Sequence, residues 1–264
     1  MKCYTFWVRE TKKIRIAGEL KQITLVAGSN VSKDDAASNA DRMASAIEER
    51  IQNRKQKRES YEAAIKEHVA GEINPKNIIT INRYGAQVLN TTEYTILDID
   101  RAPRSLMDWF RRDKRDAKDK IVDHFKRRAA RYPELGAAFR IYETRNGVRI
   151  VGKTYFCPQT KRFHGVMRAM RVDKLYALLC RKQDCYRARL TPKPYRMKME
   201  TMRIKTPLDC ETEAYNIWRE KYAAASGNYS VVKLRETLGM DFSGDPVIVL
   251  HDKITRLDAK ALLA

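Results

Sequence analysis

The segment "FRIYETRNGVRIV", residues 139–151, constrains the fold more than any other stretch of this chain. Alternating apolar and polar residues flank Asn146-Gly147, a dipeptide that readily supplies the two positive φ angles of a type I′ turn. The pattern predicts an antiparallel hairpin in which Thr144 faces Arg149 and Arg140 faces Lys153. One face of that ribbon would carry a hydroxyl and three cations, suited to phosphate oxygens. A half-buried hairpin exposes a polar face of the same kind without any ligand, so scaffold and binding readings stand side by side.

The rest of the chain mixes helix and strand without strict βαβ alternation, which predicts the α+β class. "CYTFWVRE" and "KQITLVAG" read as an opening hairpin turning near Gly18. Ser32 is a candidate N-cap, followed by Asp34 and Asp35 where the helix dipole favours acids. Ala36, Ala40, Met43, Ile47 and Ile51 then make one apolar helical face, which Tyr61, Ile65 and Val69 resume before Pro75. "NIITINRYG" and "EYTILDID" read as strands, and residues 105–132 as one or two basic amphipathic helices around Leu106, Trp109, Phe110, Ile121, Val122 and Phe125. A helix over "VDKLYALLCRKQ", a strand over "CYRARLTP", a helix near "CETEAYNIWREKYAAA" and a looser tail from Gly227 follow. This divides the chain into a packing unit over 1–75, a core over 76–205 and a C-terminal helical extension over 206–264.

Among 264 residues the net charge is +20, which favours a polyanionic partner, most commonly nucleic acid. The excess is local. Residues 33–70 hold eight basic and eight acidic side chains, whereas 101–131 hold twelve against five and 181–205 nine against two. No apolar run approaches the ~20 residues needed to span a bilayer. Charge interrupts the N-terminal segment too early for a signal peptide. The five scattered cysteines suit a reducing cytoplasm, and Cys180 and Cys185 have no second pair to complete a metal site.

"YTILDID", residues 94–100, ends an apolar strand in two acids. Alternation places Asp98 and Asp100 on one face, together with Ile96. Close carboxylates repel, and a hard cation such as Mg2+ or Mn2+ relieves that repulsion. Two solvated acids at a strand end account for the motif equally well. Further along, Arg187 and Arg189 share a strand face, with Lys193 and Arg196 behind them. Tyr176, Tyr186 and Tyr195 are candidates for stacking on a base or sugar, or for the core or its rim.

The order of these motifs resembles the archaeo-eukaryotic primase superfamily, which includes the primase-polymerases. "ILDID" is similar to its first motif, an apolar strand ending in Asp-x-Asp. "YETRNGVRIV" resembles the second, a glycine-containing hairpin with a small hydroxyl residue before the turn, although Arg149 stands where the family has histidine. Val172-Asp173 resembles the third, continued by Tyr176, Arg187 and Arg189. The resemblance covers roughly residues 76–196. It implies an RRM-like mixed or antiparallel sheet with flanking helices, and Asp98, Asp100 and Asp173 holding Mg2+ or Mn2+ at a catalytic centre. Thr144, Arg149, Lys153, Arg187 and Arg189 would bind nucleotide phosphates, and Arg111, Arg112, Arg127, Arg128, Lys193 and Arg196 the nucleic acid. The implied activity is metal-dependent nucleotidyl transfer from nucleoside triphosphates on DNA or RNA. Arginine cannot change protonation near neutral pH but still grips phosphate, so the departure at Arg149 leaves three outcomes open: ordinary triphosphate use, altered use or lost catalysis. The alternative is a non-catalytic nucleic-acid-binding protein on the same scaffold. A glycosyltransferase would not need the basic flanks, and the Asp and Glu-x-Lys pattern of a metal-dependent nuclease cannot be assembled around the doublet.

Overall fold

The computed structural model describes residues 1–52, 64–101, 115–257 and 261–264. In chain order its elements are β1 (Phe6–Ile16), β2 (Glu19–Ser29), α1 (Lys33–Gln52), β3 (His68–Asn74), β4 (Asn77–Ile81), β5 (Gln87–Thr91) and β6 (Thr95–Asp100). Then come α2 (Ala117–Ala129), β7 (Phe139–Thr144), β8 (Gly147–Gly152), α3 (Phe163–Ala169), α4 (Lys174–Gln183) and β9 (Tyr186–Arg189). The remainder is α5 (Glu213–Ser226), β10 (Tyr229–Ser230), β11 (Val232–Leu238), α6 (Pro246–Thr255) and β12 (Leu262–Leu263). Two four-stranded antiparallel sheets dominate, ordered β11-β7-β8-β6 and β3-β4-β5-β9, so the class is α+β. No helix among the described residues is long and apolar enough to cross a membrane.

The N-terminal hairpin turns through Ala17 and Gly18, both at positive φ. Ser32 caps α1 by accepting the Asp35 amide at 3.0 Å. Ala36, Ala40 and Ala44 are buried, while Met43 and Ile47 pack with Ile14 and Leu25 of the hairpin. The helical pattern expected to resume at Ile65 and Val69 is a strand pattern instead. Ile65 bridges to Cys3, with its amide on the Lys2 carbonyl at 2.9 Å, and Val69 pairs with Thr80 inside β3. Two β-branched residues four apart fit either period, and the sheet partner decided between them. Tyr61, Leu106, Trp109 and Phe110 lie outside the described residues. The division expected at residue 75 falls in the tight turn between the paired strands β3 and β4. Strand β5 has no counterpart in the sequence reading. Polar Asn90 hides it, because that side chain is buried and its amide donates to the Ile78 carbonyl at 3.1 Å and the Thr80 hydroxyl at 2.9 Å.

The hairpin of β7 and β8 forms, but its register is two residues away from the one the turn dipeptide suggested. Arg149 lies opposite Tyr142, not Thr144, and Arg140 lies opposite Val151, not Lys153. The turn is Arg145-Asn146, closed by the Gly147 amide donating to Thr144 Oγ1 at 3.1 Å, and neither Asn146 nor Gly147 has positive φ. Gly147 serves close strand approach instead: a Cβ there would meet the Ile99 carbonyl oxygen at 2.0 Å. A slip of two preserves each side chain's face, so Arg140, Thr144 and Arg149 still share one side.

That side and its opposite differ sharply. Leu97, Ile99, Ile141, Val148 and Ile150 form the apolar side, covered by α2 through Ile121, Val122 and Phe125; Phe125 meets Phe139 edge-on at 5.0 Å. Full burial of a ring such as Phe125 contributes roughly 1.5–3 kcal/mol. On the other side Asp98, Arg149 and Tyr142 line up across three strands. Helix α6 packs there with His251 against Tyr142, at 5.1 Å between ring centres. The stretch after Thr206 is therefore more than helical. It supplies edge strand β11 and this covering helix. The sequence carries a signal for α6 in Asp245-Pro246, an N-cap residue followed by proline at the first helical position.

Candidate functional site

Strand β6 is the free edge of its sheet and β9 the edge of the other, and the two lie side by side. Tyr176, half-buried on α4, joins them: its hydroxyl is 3.0 Å from the Ile96 carbonyl and 3.1 Å from that of Arg187. Strand β6 is anchored by Thr95, whose hydroxyl donates to the Thr154 carbonyl and accepts the Phe156 amide, each at 2.7 Å. At the other end of β6 the acids emerge along this seam.

Asp98 has 40% of its side chain exposed, and its Oδ1 lies 3.9 Å from Nε of Arg149, which is only 2% exposed. Asp100 is open to solvent on one side. Protein crowding on the other raises its carboxyl pKa, with Asp98 and Asp173 raising it further while Lys193 and Arg196 oppose them. Five of the expected site residues therefore share one electrostatic neighbourhood. Asp173 is also the N-cap of α4, its Oδ1 accepting the Tyr176 amide at 2.7 Å. That cap contributes about 1 kcal/mol to the helix.

Beneath the acids lie two guanidiniums, that of Arg149 buried and that of Arg189 half-buried. Arg149 Nη1 donates to the Arg189 carbonyl at 2.9 Å, and Nε is buried without a hydrogen-bond partner among the described residues. Arg189 donates to the Thr191 carbonyl at 2.8 Å; burial, then Arg149 and Arg196, bring its pKa down to about 10. Behind Arg149 runs a polar network that the sequence reading missed. His251 Nε2 is 3.4 Å from Arg149 Nη1, and its Nδ1 is 2.8 Å from Asp252 Oδ1. Asp252 also accepts from Arg140 at 2.7 Å and from the Tyr142 hydroxyl at 2.9 Å. Burial, with Arg149 and Arg140, lowers the His251 pKa below its ordinary value, against the pull of Asp252.

The structure gives the other expected residues different work. Thr144 closes the hairpin turn. Lys153 pairs with Asp245 at the start of α6 and lies over the Tyr94 ring. Arg187 is tied to Glu67 at 2.5 Å, and Glu67 also accepts from Thr80 at 2.6 Å, so this guanidinium is turned into the second sheet. Arg127 and Arg128 are exposed on α2, which covers the apolar side of the sheet, away from the acids. Arg111 and Arg112 lie outside the described residues. Tyr186 is a core ring whose hydroxyl donates to the Phe156 carbonyl at 2.5 Å. Tyr195 is different: it is 60% exposed, and although burial works to raise its phenol, Lys193 and Arg196 lower it. Cys3, Cys180, Cys185 and Cys210 are buried and all five cysteines are free.

A divalent cation can be tested against these donors. Among the described residues, no three His, Cys, Asp or Glu side chains converge as a ready-made cage. Mg2+ and Mn2+ do not require one, since such ions commonly bind one or two carboxylates and complete their shell with water and substrate phosphate. Asp98 and Asp100, on one face of an edge strand and mutually repelling, fit that mode. Two surface clefts of about 440 and 570 Å³ lie elsewhere, one among the ion pairs of α2 and β11 and one beside α5. The acids occupy an open seam.

Comparison with protein-family models, with curated proteins and with solved structures gave no match.

Proposed function

We propose that the protein is a metal-dependent nucleotidyltransferase of primase-polymerase type acting on DNA or RNA, with the sheet β11-β7-β8-β6 and its covering helices as an RRM-like catalytic core. The observation that carries this reading is the placement of Asp98 and Asp100 on one face of the edge strand β6, with Lys193 and Arg196 close enough to act electrostatically on Asp100. Asp98 and Asp100 would hold Mg2+ or Mn2+, which would neutralise phosphate charge and acidify an attacking 3′-hydroxyl. Lys193 and Arg196, half-exposed, bind the phosphates of a nucleoside triphosphate or of the growing strand. Arg149, whose Nε lies 3.9 Å from Asp98 Oδ1, and Arg189 place positive charge beneath the strand that carries the acids. Asp173 acts from a distance on Asp100 and orients α4.

The test is incorporation of a labelled nucleoside triphosphate into a primed or unprimed template with Mn2+ present. Wild-type protein incorporates label, whereas Asp98→Asn and Asp98→Ala do not and keep their thermal unfolding transition. Full incorporation by either variant ends the assignment.

A second reading, non-catalytic binding of nucleic acid on this scaffold, is favoured by the burial of Arg149 at the histidine position and by the commitment of Asp173 as a helix cap. It predicts no heat on titration with Mg2+ and nucleoside triphosphate, alongside tight, salt-sensitive nucleic-acid binding.

A further inference from the structure

The segment from Thr191 to Met197 is held far more firmly than a surface connection needs to be. The Tyr222 hydroxyl lies 2.8 Å from Thr191 Oγ1 and 2.5 Å from the Pro192 carbonyl. Thr191 Oγ1 also accepts the Gln87 amide at 2.8 Å, and its carbonyl accepts from Arg189. Pro192 and Pro194 fix two backbone φ angles, and Met197 is buried. From this rigid base Tyr195 projects into solvent. The Lys193 ammonium stands between two rings, 5.8 Å from the centre of Tyr195 and 5.9 Å from that of Tyr84. Arg83, next to Tyr84, and Arg203 are exposed, and their two connecting segments are joined by the Ile204 amide on the Arg83 carbonyl at 2.9 Å.

An exposed ring gains little from burial, and a rigid, cation-flanked tyrosine adds nothing to the core below it. Aromatic faces set among cations are what an unpaired strand recognises. Each base offers a π face to the ring while phosphates meet the ammonium and guanidinium groups. In a duplex those π faces are already occupied by neighbouring bases.

We propose that Tyr84, Lys193, Tyr195 and Arg196 form a clamp for single-stranded nucleic acid, with a base stacked on Tyr195 and the backbone on Lys193 and Arg196. The surrounding charge, nine basic against two acidic residues over 181–205, complements the strand. Lys193 and Arg196 also act electrostatically on Asp100, which places the clamp near the acids. The clamp goes beyond the enzymatic reading and does not depend on it.

The experiment measures anisotropy of a labelled oligothymidylate of about twelve nucleotides and of a duplex of the same length. Tyr195→Ala weakens single-strand binding by about ten- to a hundredfold and leaves duplex binding unchanged. Tyr195→Phe, which keeps the ring, binds as the wild type does, and Lys193→Ala lowers the salt slope by about one. Tyr195→Leu keeps apolar bulk without a π face and serves if the alanine variant unfolds; it loses binding to the same extent. Unchanged single-strand binding in a folded Tyr195→Ala or Tyr195→Leu protein, equal loss for the duplex, or equal loss in Tyr195→Phe overturns the clamp. Single-strand binding that requires Tyr195 in a wild-type protein unable to incorporate nucleotide defeats the enzymatic reading and leaves the clamp standing. Asp98-dependent incorporation with strand binding indifferent to Tyr195 does the reverse.

Discussion

Nη1 of Arg149 lies 3.4 Å from Nε2 of His251, inside the protein, while Nε of the same guanidinium lies 3.9 Å from half-exposed Asp98. The geometry fixes the tautomer. Ionised Asp252 only accepts, so the proton sits on Nδ1, and Nε2 is left to accept from the guanidinium. A helix from the end of the chain thereby orients the side chain that lies under the site.

Protonating His251 would place a cation against Arg149, with Arg140 close by, and this sets a pH dependence. Burial first, then Arg149 and Arg140, hold the folded pKa below 6.5. The unfolded chain therefore binds the proton more readily. Stability from this residue is complete above pH 6.5 and is lost as pH falls from there through the depressed folded value. The loss is about 1.4 kcal/mol per pH unit across that window. Urea midpoints of wild type and His251→Gln, measured from about pH 7.5 to about pH 5, should converge as pH falls. Parallel curves would show that His251 takes up no extra proton on unfolding.

Divalent cation should stabilise the folded protein through Asp98 and Asp100. Mn2+ at a hundredfold over its dissociation constant adds about 2.7 kcal/mol, seen as a raised Tm. In Asp98→Asn/Asp100→Asn the Mn2+ increment disappears, whatever the Tm of the metal-free variant. An increment that survives in the double variant places the ion elsewhere.

Arg187 belongs to the fold, and Glu67 tests this. Glu67→Ala strands a guanidinium that is largely buried and otherwise bonded to Gln183, and should cost about 3–5 kcal/mol. Glu67→Ala/Arg187→Met removes the orphaned charge and should recover part of that loss in urea unfolding. Nucleotide binding per folded molecule should be unaffected by either. Loss of nucleotide binding in the folded double variant would return Arg187 to the site.

Local chemistry explains which parts were legible in the sequence. Ser32 as a cap, the turn at Gly18 and the face shared by Asp98 and Asp100 depend on neighbours in the chain, and all three are found. Strand alternation puts Thr144 and Lys153 on one face of the hairpin and the family resemblance adds Arg187 to a phosphate-binding set, but neither gives these side chains their partners. Their partners are Gly147, Asp245 and Glu67, the last two distant in sequence. His251 was invisible for the same reason: a lone histidine on an apolar helix acquires meaning only when Arg149 and Asp252 are brought against it.

Gly147 explains why the hairpin register differed, and it yields the sharpest structural test. The Asn146-Gly147 dipeptide suggests a turn glycine chosen for positive φ, yet Gly147 is a strand residue opposite Asp100. An added Cβ would meet the Ile99 oxygen at 2.0 Å and the Asp100 Cα at 2.9 Å, both backbone atoms of β6. No side-chain rotation relieves such a clash, so Gly147→Ala must push the end of β6 outward, carrying Asp100 with it. Destabilisation of about 1–3 kcal/mol is expected from overpacking of this kind, with nucleotide binding lost beyond what the unfolded fraction explains. Asn146→Ala, in the turn proper and not at positive φ, should cost under about 1 kcal/mol. Equal effects of the two substitutions would mean that turn conformation, not strand approach, selects glycine at this position.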